Sequence, residues 1–199
     1  MTLGYSTKWP DRMGELAGQP NYFVEKIWNG LIDHNGLSSD DFEAVVDDFT
    51  KYLTPFRDDI DKQGYMRFAL RRQPKIHTIR LDPHDRWKPG MKIHPVINNR
   101  TKNRFQFAPV LECVSTQKIV IQYKFNDGSY FLDNHAFPIF GNAGKYERNA
   151  LILIDDNRLN FNMMNSLAIN DGFPNAYAFF QYFNQDFTGK IIHWTDLKY

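Results

Sequence analysis

The chain has 199 residues, of which 42% are hydrophobic and 24% are charged, and its net charge is +1. These values are typical of one globular domain with a hydrophobic core. The single cysteine, Cys113, excludes an internal disulfide, and its apolar neighbours predict a buried side chain. No apolar run has the length of a transmembrane span, and the N-terminus lacks the apolar core of a signal peptide. We therefore expect a cytoplasmic protein with no membrane partner.

Charge is distributed unevenly along the chain. Residues 33–61 carry nine acidic and two basic side chains, whereas residues 62–104 carry twelve basic and two acidic side chains. This asymmetry favours an anionic partner for the basic segment, although a solvated surface gives the same pattern.

The first third of the chain is predicted to be mostly helical. A short strand over 2–9 and a loop over 10–20 precede a helix over 21–31, in which apolar residues recur at helical spacing and Gly30 lies near the end. A second amphipathic helix is predicted to begin at Ser38 or Ser39 and to end at Pro55.

Strands dominate from residue 74, because alternating or apolar runs are separated there by Gly, Pro, Asn and Asp. Asn126-Asp127-Gly128 predicts a hairpin, and two helices are expected around 161–170 and 175–184 before a last strand over 190–196. Strands followed by helices, without regular alternation, predict an α+β fold. The other predicted strands are 75–80, 92–97, 105–114, 118–125, 129–132 and 150–154.

Three short motifs in a fixed order carry a family resemblance. Lys75-Ile76-His77-Thr78-Ile79-Arg80, then Trp87-Lys88-Pro89-Gly90, then Asp171-Gly172-Phe173 resemble the signature of ASCH domains, which belong to the PUA-like superfamily. The resemblance covers about 20–31 and 73–199 and implies a single PUA-like mixed β-barrel flanked by helices. Residues 32–72 then form a helical insertion, which we expect to pack on the barrel.

The resemblance implies two functions. One is binding of a nucleobase, a nucleoside or RNA in the barrel cleft. The other is an amidohydrolase that removes an acyl group from a modified cytidine, with Lys75 as base, Thr78 as nucleophile and Asp171 as acid. A neighbouring base activates a threonine hydroxyl, and Arg71, Arg72 and Arg80 are candidates for lowering the lysine pKa. The acidic position holds Asp, one methylene shorter than the Glu of the family.

A structural interpretation of the catalytic residues stays open. In a fully extended strand, Lys75 shares a face with His77, whereas Thr78 points to the opposite face. Lys75 and Thr78 therefore converge only if the chain bends near Pro74–Ile76. Otherwise Thr78 is a plain strand residue and Lys75 a surface cation.

Five further residues are candidate ligand contacts. Arg80 lies in an apolar strand and needs an anionic partner, either a ligand or an Asp of the chain. Trp87 is a turn-packing residue or a base-stacking ring. His77 is a candidate for the pocket lining, and Arg100 and Lys102 lie in a basic loop that contacts phosphate or is simply solvated.

No cofactor is expected from the sequence. The six histidines match no common zinc spacing, and no phosphate-binding loop or dinucleotide fingerprint is found, so we expect no metal. A third function also remains open, that of a phage-type interaction protein whose acidic insertion contacts a protein partner.

Overall fold

The computed structural model describes residues 1–50, 61–125, 135–140 and 146–199. The chain forms two compact units. Unit 1 contains 1–76 and 90–113, and unit 2 contains 77–89 and 114–199.

Ten strands and five α-helices are present in the described residues, and a 3₁₀-helix spans Asp11–Leu16. The helices are α1 Phe23–His34, α2 Ser39–Thr50, α3 Lys62–Ala69, α4 Phe161–Asn170 and α5 Ala176–Tyr182. The strands are β1 Thr2–Tyr5, β2 His77–Arg80, β3 Lys92–Ile97, β4 Phe105–Gln106, β5 Leu111–Glu112, β6 Ser115–Phe125, β7 Phe137–Phe140, β8 Tyr146–Ile154, β9 Asn157–Arg158 and β10 Phe187–His193.

Unit 1 combines a small sheet with helices α1 to α3. Strand β3 pairs in parallel with β1 and antiparallel with β4 and β5. Helix α1 buries Val24, Ile27 and Leu31, which recur every three to four residues along one face. The Trp28 ring stacks on Phe42 of α2 at 5.1 Å. The described helices of the predicted insertion therefore belong to the core of unit 1.

Unit 2 is built on an antiparallel sheet with the order β2-β10-β6-β8-β7, and β9 pairs with β8. Gly189 allows β10 to approach β2, because a Cβ at this position would lie 2.4 Å from the Arg80 carbonyl oxygen. Helices α4 and α5 supply buried apolar residues, including Leu167 and Phe179.

The α+β class is confirmed. The expected barrel is not seen, because the described strands form two separate sheets and neither closes on itself. None of the helices in the described part of the chain is long and apolar enough to cross a membrane. Cys113 is fully buried, as predicted.

Several predicted boundaries are corrected by the structure. Strand β2 begins at His77, so Lys75 and Ile76 precede it. The single strand expected over 105–114 is two short strands, and the last strand ends at His193, not at residue 196. The hairpin at 126–128, the strand over 129–132 and the helix end at Pro55 lie outside the described residues.

Candidate functional site

Backbone contacts in unit 1 bring three cationic side chains together. The Asn29 amide in α1 donates to the carbonyls of Ala69 and Arg72 at 2.9 and 2.7 Å, which fixes the chain after α3. The Lys75 N–H donates to the Lys26 carbonyl at 2.8 Å. Gly30 is required for this approach, because a Cβ would lie 2.5 Å from the Lys75 carbonyl oxygen. Lys26, Arg72 and Lys75 are thereby held beside α1.

Aromatic rings surround these cations. The Arg72 guanidinium carbon lies 4.2 Å from the centre of the Tyr22 ring and 3.9 Å from that of Phe68. The Lys26 and Lys75 amines lie 5.9 and 5.1 Å from the centre of the Phe23 ring. These distances are within the range of cation–π attraction. We call these six residues the aromatic–cation cluster: Tyr22, Phe23, Lys26, Phe68, Arg72 and Lys75.

The cluster is open to solvent on part of its surface. Lys75 is only 1% exposed, but the other five residues are partly exposed. Tyr22 adopts φ +58°, a left-handed conformation that is uncommon for an aromatic residue. Such conformations concentrate at functional sites.

A buried carboxylate adjoins the cluster. Glu25 Oε1 accepts a hydrogen bond from the Tyr65 hydroxyl at 2.8 Å. Burial raises the pKa of Glu25, against the opposing effects of its hydrogen bonds and of Arg72 and Lys26. Glu25 Oε2 and Arg72 Nε are buried and have no hydrogen-bond partner among the described residues.

The Lys26 amine responds to its cationic neighbours. Burial, then Lys75 and Arg72, lower the pKa of Lys26 to about 8, and Glu25 acts in the opposite direction. The two neighbouring cations thus have a stronger effect on Lys26 than the carboxylate does. An added anion would relieve the repulsion among these three positive charges.

Asp171 lies at the end of α4 in unit 2. The N–H groups of Gly172 and Phe173 donate to Ile169 and Ala168 at 2.8 and 2.9 Å, and Gly172 has φ +91°. This is a Schellman motif, which requires a left-handed residue after the helix. The predicted Asp-Gly-Phe element is therefore a helix stop.

The Asp171 carboxylate faces strand β2. Oδ1 accepts a hydrogen bond from the Ile79 N–H at 3.2 Å and lies 3.7 Å from His77 Nδ1. Thr78 is buried, and strand alternation places its side chain on the face of β2 opposite to that of His77.

His77 belongs to a buried polar network. Its Nε2 lies 2.9 Å from the Tyr199 hydroxyl, which accepts a hydrogen bond from Asn170 at 2.8 Å. Burial raises the pKa of Tyr199, Asp171 acts in the same direction, and the Asn170 hydrogen bond opposes them. The His77 and His193 rings are 5.4 Å apart, and both residues are fully buried. The network has the groups of a proton relay, but dissolved substrates do not reach its imidazoles.

The remaining predicted ligand contacts differ in exposure. Trp87 is 3% exposed, so its ring is buried, and its backbone N–H donates to the Asp82 carboxylate at 2.9 Å. Arg80 is partly exposed at the end of β2. Arg100 and Lys102 are exposed in the turn after β3.

The structure thus divides the predicted residues between the units. Lys75, Arg100 and Lys102 belong to unit 1, and the others belong to unit 2: His77, Thr78, Arg80, Trp87 and Asp171. In the described part of the chain, no group of three or more His, Cys, Asp or Glu residues could hold a metal ion.

Sequence reasoning missed most of the aromatic–cation cluster. It named Arg72 and Lys75, but not Tyr22, Phe23, Lys26 or Phe68. The available signal was an aromatic pair followed at helical spacing by a lysine, with a glycine four residues later inside the same helix. A comparison of the chain with protein-family models, with curated proteins and with solved structures finds no match.

Proposed function

We propose that unit 1 binds a nucleotide, either free or as part of an RNA strand, at the aromatic–cation cluster. The observation that carries this proposal is the Arg72 guanidinium against both the Tyr22 and the Phe68 ring, beside two further cations. The family resemblance predicts that the ligand binds in a barrel cleft. The aromatic–cation cluster instead brings cationic and aromatic side chains together within unit 1.

The charges suit the phosphate of a nucleotide. A guanidinium donates two parallel hydrogen bonds to a phosphate, and a lysine adds a mobile point charge. Arg72 and Lys26 are both partly exposed and therefore accessible for this contact. Lys75 is buried and contributes to the positive potential from the interior side of the cluster.

The rings suit the base of a nucleotide. Aromatic side chains stack on unpaired bases, and this stacking contributes roughly 1–3 kcal/mol per base. Tyr22, Phe23 and Phe68 are all partly exposed. Rings and cations side by side are the combination that single-stranded nucleic acids require.

The proposal predicts that CMP and a short single-stranded RNA bind, and that cytidine, which lacks the phosphate, binds less tightly. Arg72→Gln should weaken CMP binding by roughly tenfold or more, because hydrogen bonds to charged groups contribute about 1.5–3 kcal/mol. Isothermal titration calorimetry at low salt measures the affinities.

Arg67→Gln is the matched control, since Arg67 is an exposed arginine of α3. Equal affinities of the Arg72→Gln and Arg67→Gln proteins, with both folded by circular dichroism, would refute the assignment of the site. Absence of wild-type binding to both ligands would refute the function itself.

We propose as a second function the amide hydrolysis of an acylated cytidine that the family resemblance implies. Asp171 contacts β2 at the N–H of Ile79, the residue after Thr78, and the reaction requires the Thr78 and Asp171 side chains to meet on one face of the strand. In this reaction the Thr78 oxygen bonds to the acyl carbon, Asp171 takes the hydroxyl proton and passes it to the leaving amine as the C–N bond breaks, and water then releases the acid from Thr78. The protein should then release acetate from acetylcytidine without added metal, and Thr78→Ala should nearly abolish the release.

Thr116→Ala is the control for this experiment, because Thr116 and Thr78 both pair with Ile192 in the same sheet. Equal acetate release by the wild type and Thr78→Ala would show that Thr78 has a structural role. A wild-type protein without turnover would leave nucleotide binding as the sole proposal.

A further inference from the structure

Lys26 has surroundings that favour a neutral, nucleophilic amine. Its Nζ atom lies against the Phe23 ring, 5.9 Å from the ring centre, and the Lys75 amine lies over the same ring. Burial removes part of the water that would solvate the charged ammonium, and nearby positive charges further oppose protonation. A lysine beside another cation is a known arrangement for covalent catalysis.

The ionisation of Lys26 agrees with this geometry. Burial, Lys75 and Arg72 lower its pKa to about 8, with Glu25 opposing. About half of the Lys26 side chains are then neutral at pH 8, compared with less than about 1% for a lysine of ordinary pKa. The side chain is partly exposed, so a small molecule can reach it.

We propose that Lys26 forms an imine with a planar aldehyde that carries a phosphate group. This rests on the proposed function, since Arg72 holds the phosphate, the buried Lys75 adds positive potential, and the rings of Tyr22 and Phe68 support the planar part. The inference adds a covalent step to a site that would otherwise only bind.

The step balances without any further reactant. The Lys26 nitrogen attacks the carbonyl carbon, a C–N bond forms, and the carbonyl electron pair moves to oxygen, which takes a proton. The resulting carbinolamine loses water as the nitrogen lone pair forms the C=N bond. The products are one imine and one water molecule, and nothing is oxidised or reduced.

Pyridoxal 5′-phosphate is the probe, because it combines an aldehyde, a planar ring and a phosphate. The full-length protein is incubated with it at pH 8 and reduced with borohydride, and the labelled lysines are mapped by mass spectrometry. We expect Lys26 to be labelled at least tenfold faster than Lys102, an exposed lysine of the same unit. Lys26→Arg should remove the fast label, whereas Lys102→Arg should not.

Two further comparisons sharpen the test. Pyridoxal, which lacks the phosphate, should label Lys26 more slowly than the phosphorylated probe. The labelling rate of Lys26 should rise with a midpoint near pH 8, the pKa that burial, Lys75 and Arg72 lower and Glu25 raises. Labelling of Lys26 and Lys102 at equal rates in the wild type would overturn the proposal, as would labelling indifferent to the phosphate.

The two proposals fail separately. If CMP binds but Lys26 reacts no faster than Lys102, the imine proposal alone is wrong. If Lys26 is labelled selectively but CMP neither binds nor protects it, nucleotide binding is wrong and the reactive amine remains.

Discussion

Buried ionisable residues give each unit its own response to pH. In unit 2, both ring nitrogens of His193 are buried and have no hydrogen-bond partner among the described residues. Burial, then Lys198, lower the pKa of His193 to about 4, against the opposing effect of Asp155. In unit 1, burial raises the pKa of Glu25. The two residues therefore affect stability with opposite sign as the solution is acidified.

His193 should destabilise the folded protein in mild acid. Between about pH 6.5 and 4 the unfolded chain binds a proton at His193 and the folded chain does not, so the free energy of unfolding falls as pH falls. The loss from this residue reaches up to about 3 kcal/mol, at about 1.4 kcal/mol per pKa unit. Urea unfolding at several pH values measures it.

The His193→Gln protein should show a shallower pH dependence than the wild type, because its amide does not titrate. Glu25 also contributes to the pH dependence of the free energy of unfolding. Its contribution is the same in both proteins, so it cancels in the difference between them. His84→Gln is the control, since His84 is exposed. Parallel pH profiles for the wild type and His193→Gln would contradict the assignment.

Element boundaries show what local sequence patterns can and cannot predict. Helix α4 and strand β3 have the predicted ends, 161–170 and 92–97, because caps and hydrophobic periodicity are local signals. Helix α1 continues past Gly30 to His34, although glycine predicted its end. Gly30 is instead required because the Lys75 carbonyl oxygen approaches it closely. These two residues are far apart in sequence, so no local pattern predicts the contact.

The candidate site was harder to predict than the elements that carry it. Its rings and cations come from the start of α1 and from residues 68–75, which are separated by about forty positions in sequence. No local pattern reports that the Asn29 amide ties these segments together. The Asp-Gly-Phe motif carries a local signal as well, because it ends α4, and a catalytic role for Asp171 stays a prediction.

At the scale of the whole molecule, the basic segment 62–104 contributes residues to both units. Exposed members in unit 1 include Arg67, Arg71, Arg100 and Lys102. Exposed cations attract a polyanion over a wide area, whereas the aromatic–cation cluster accommodates one nucleotide. A long RNA strand should therefore bind more tightly than CMP and depend more strongly on salt.

This difference can be measured. RNA affinity should fall linearly with the logarithm of salt concentration, with a slope of about 0.7 for each phosphate contacted in a single strand. Replacing both Arg100 and Lys102 with Ala should reduce that slope by up to about 1.4 if each contacts one phosphate, and should leave CMP affinity unchanged. Arg72→Gln should weaken the binding of both ligands, because it alters the nucleotide site itself.

Fluorescence anisotropy with a labelled RNA between roughly 50 and 200 mM salt provides the slopes. A wild-type slope near zero would show that the basic segment is a solvated surface, and a loss of CMP affinity in the double variant would show that the loop belongs to the nucleotide site.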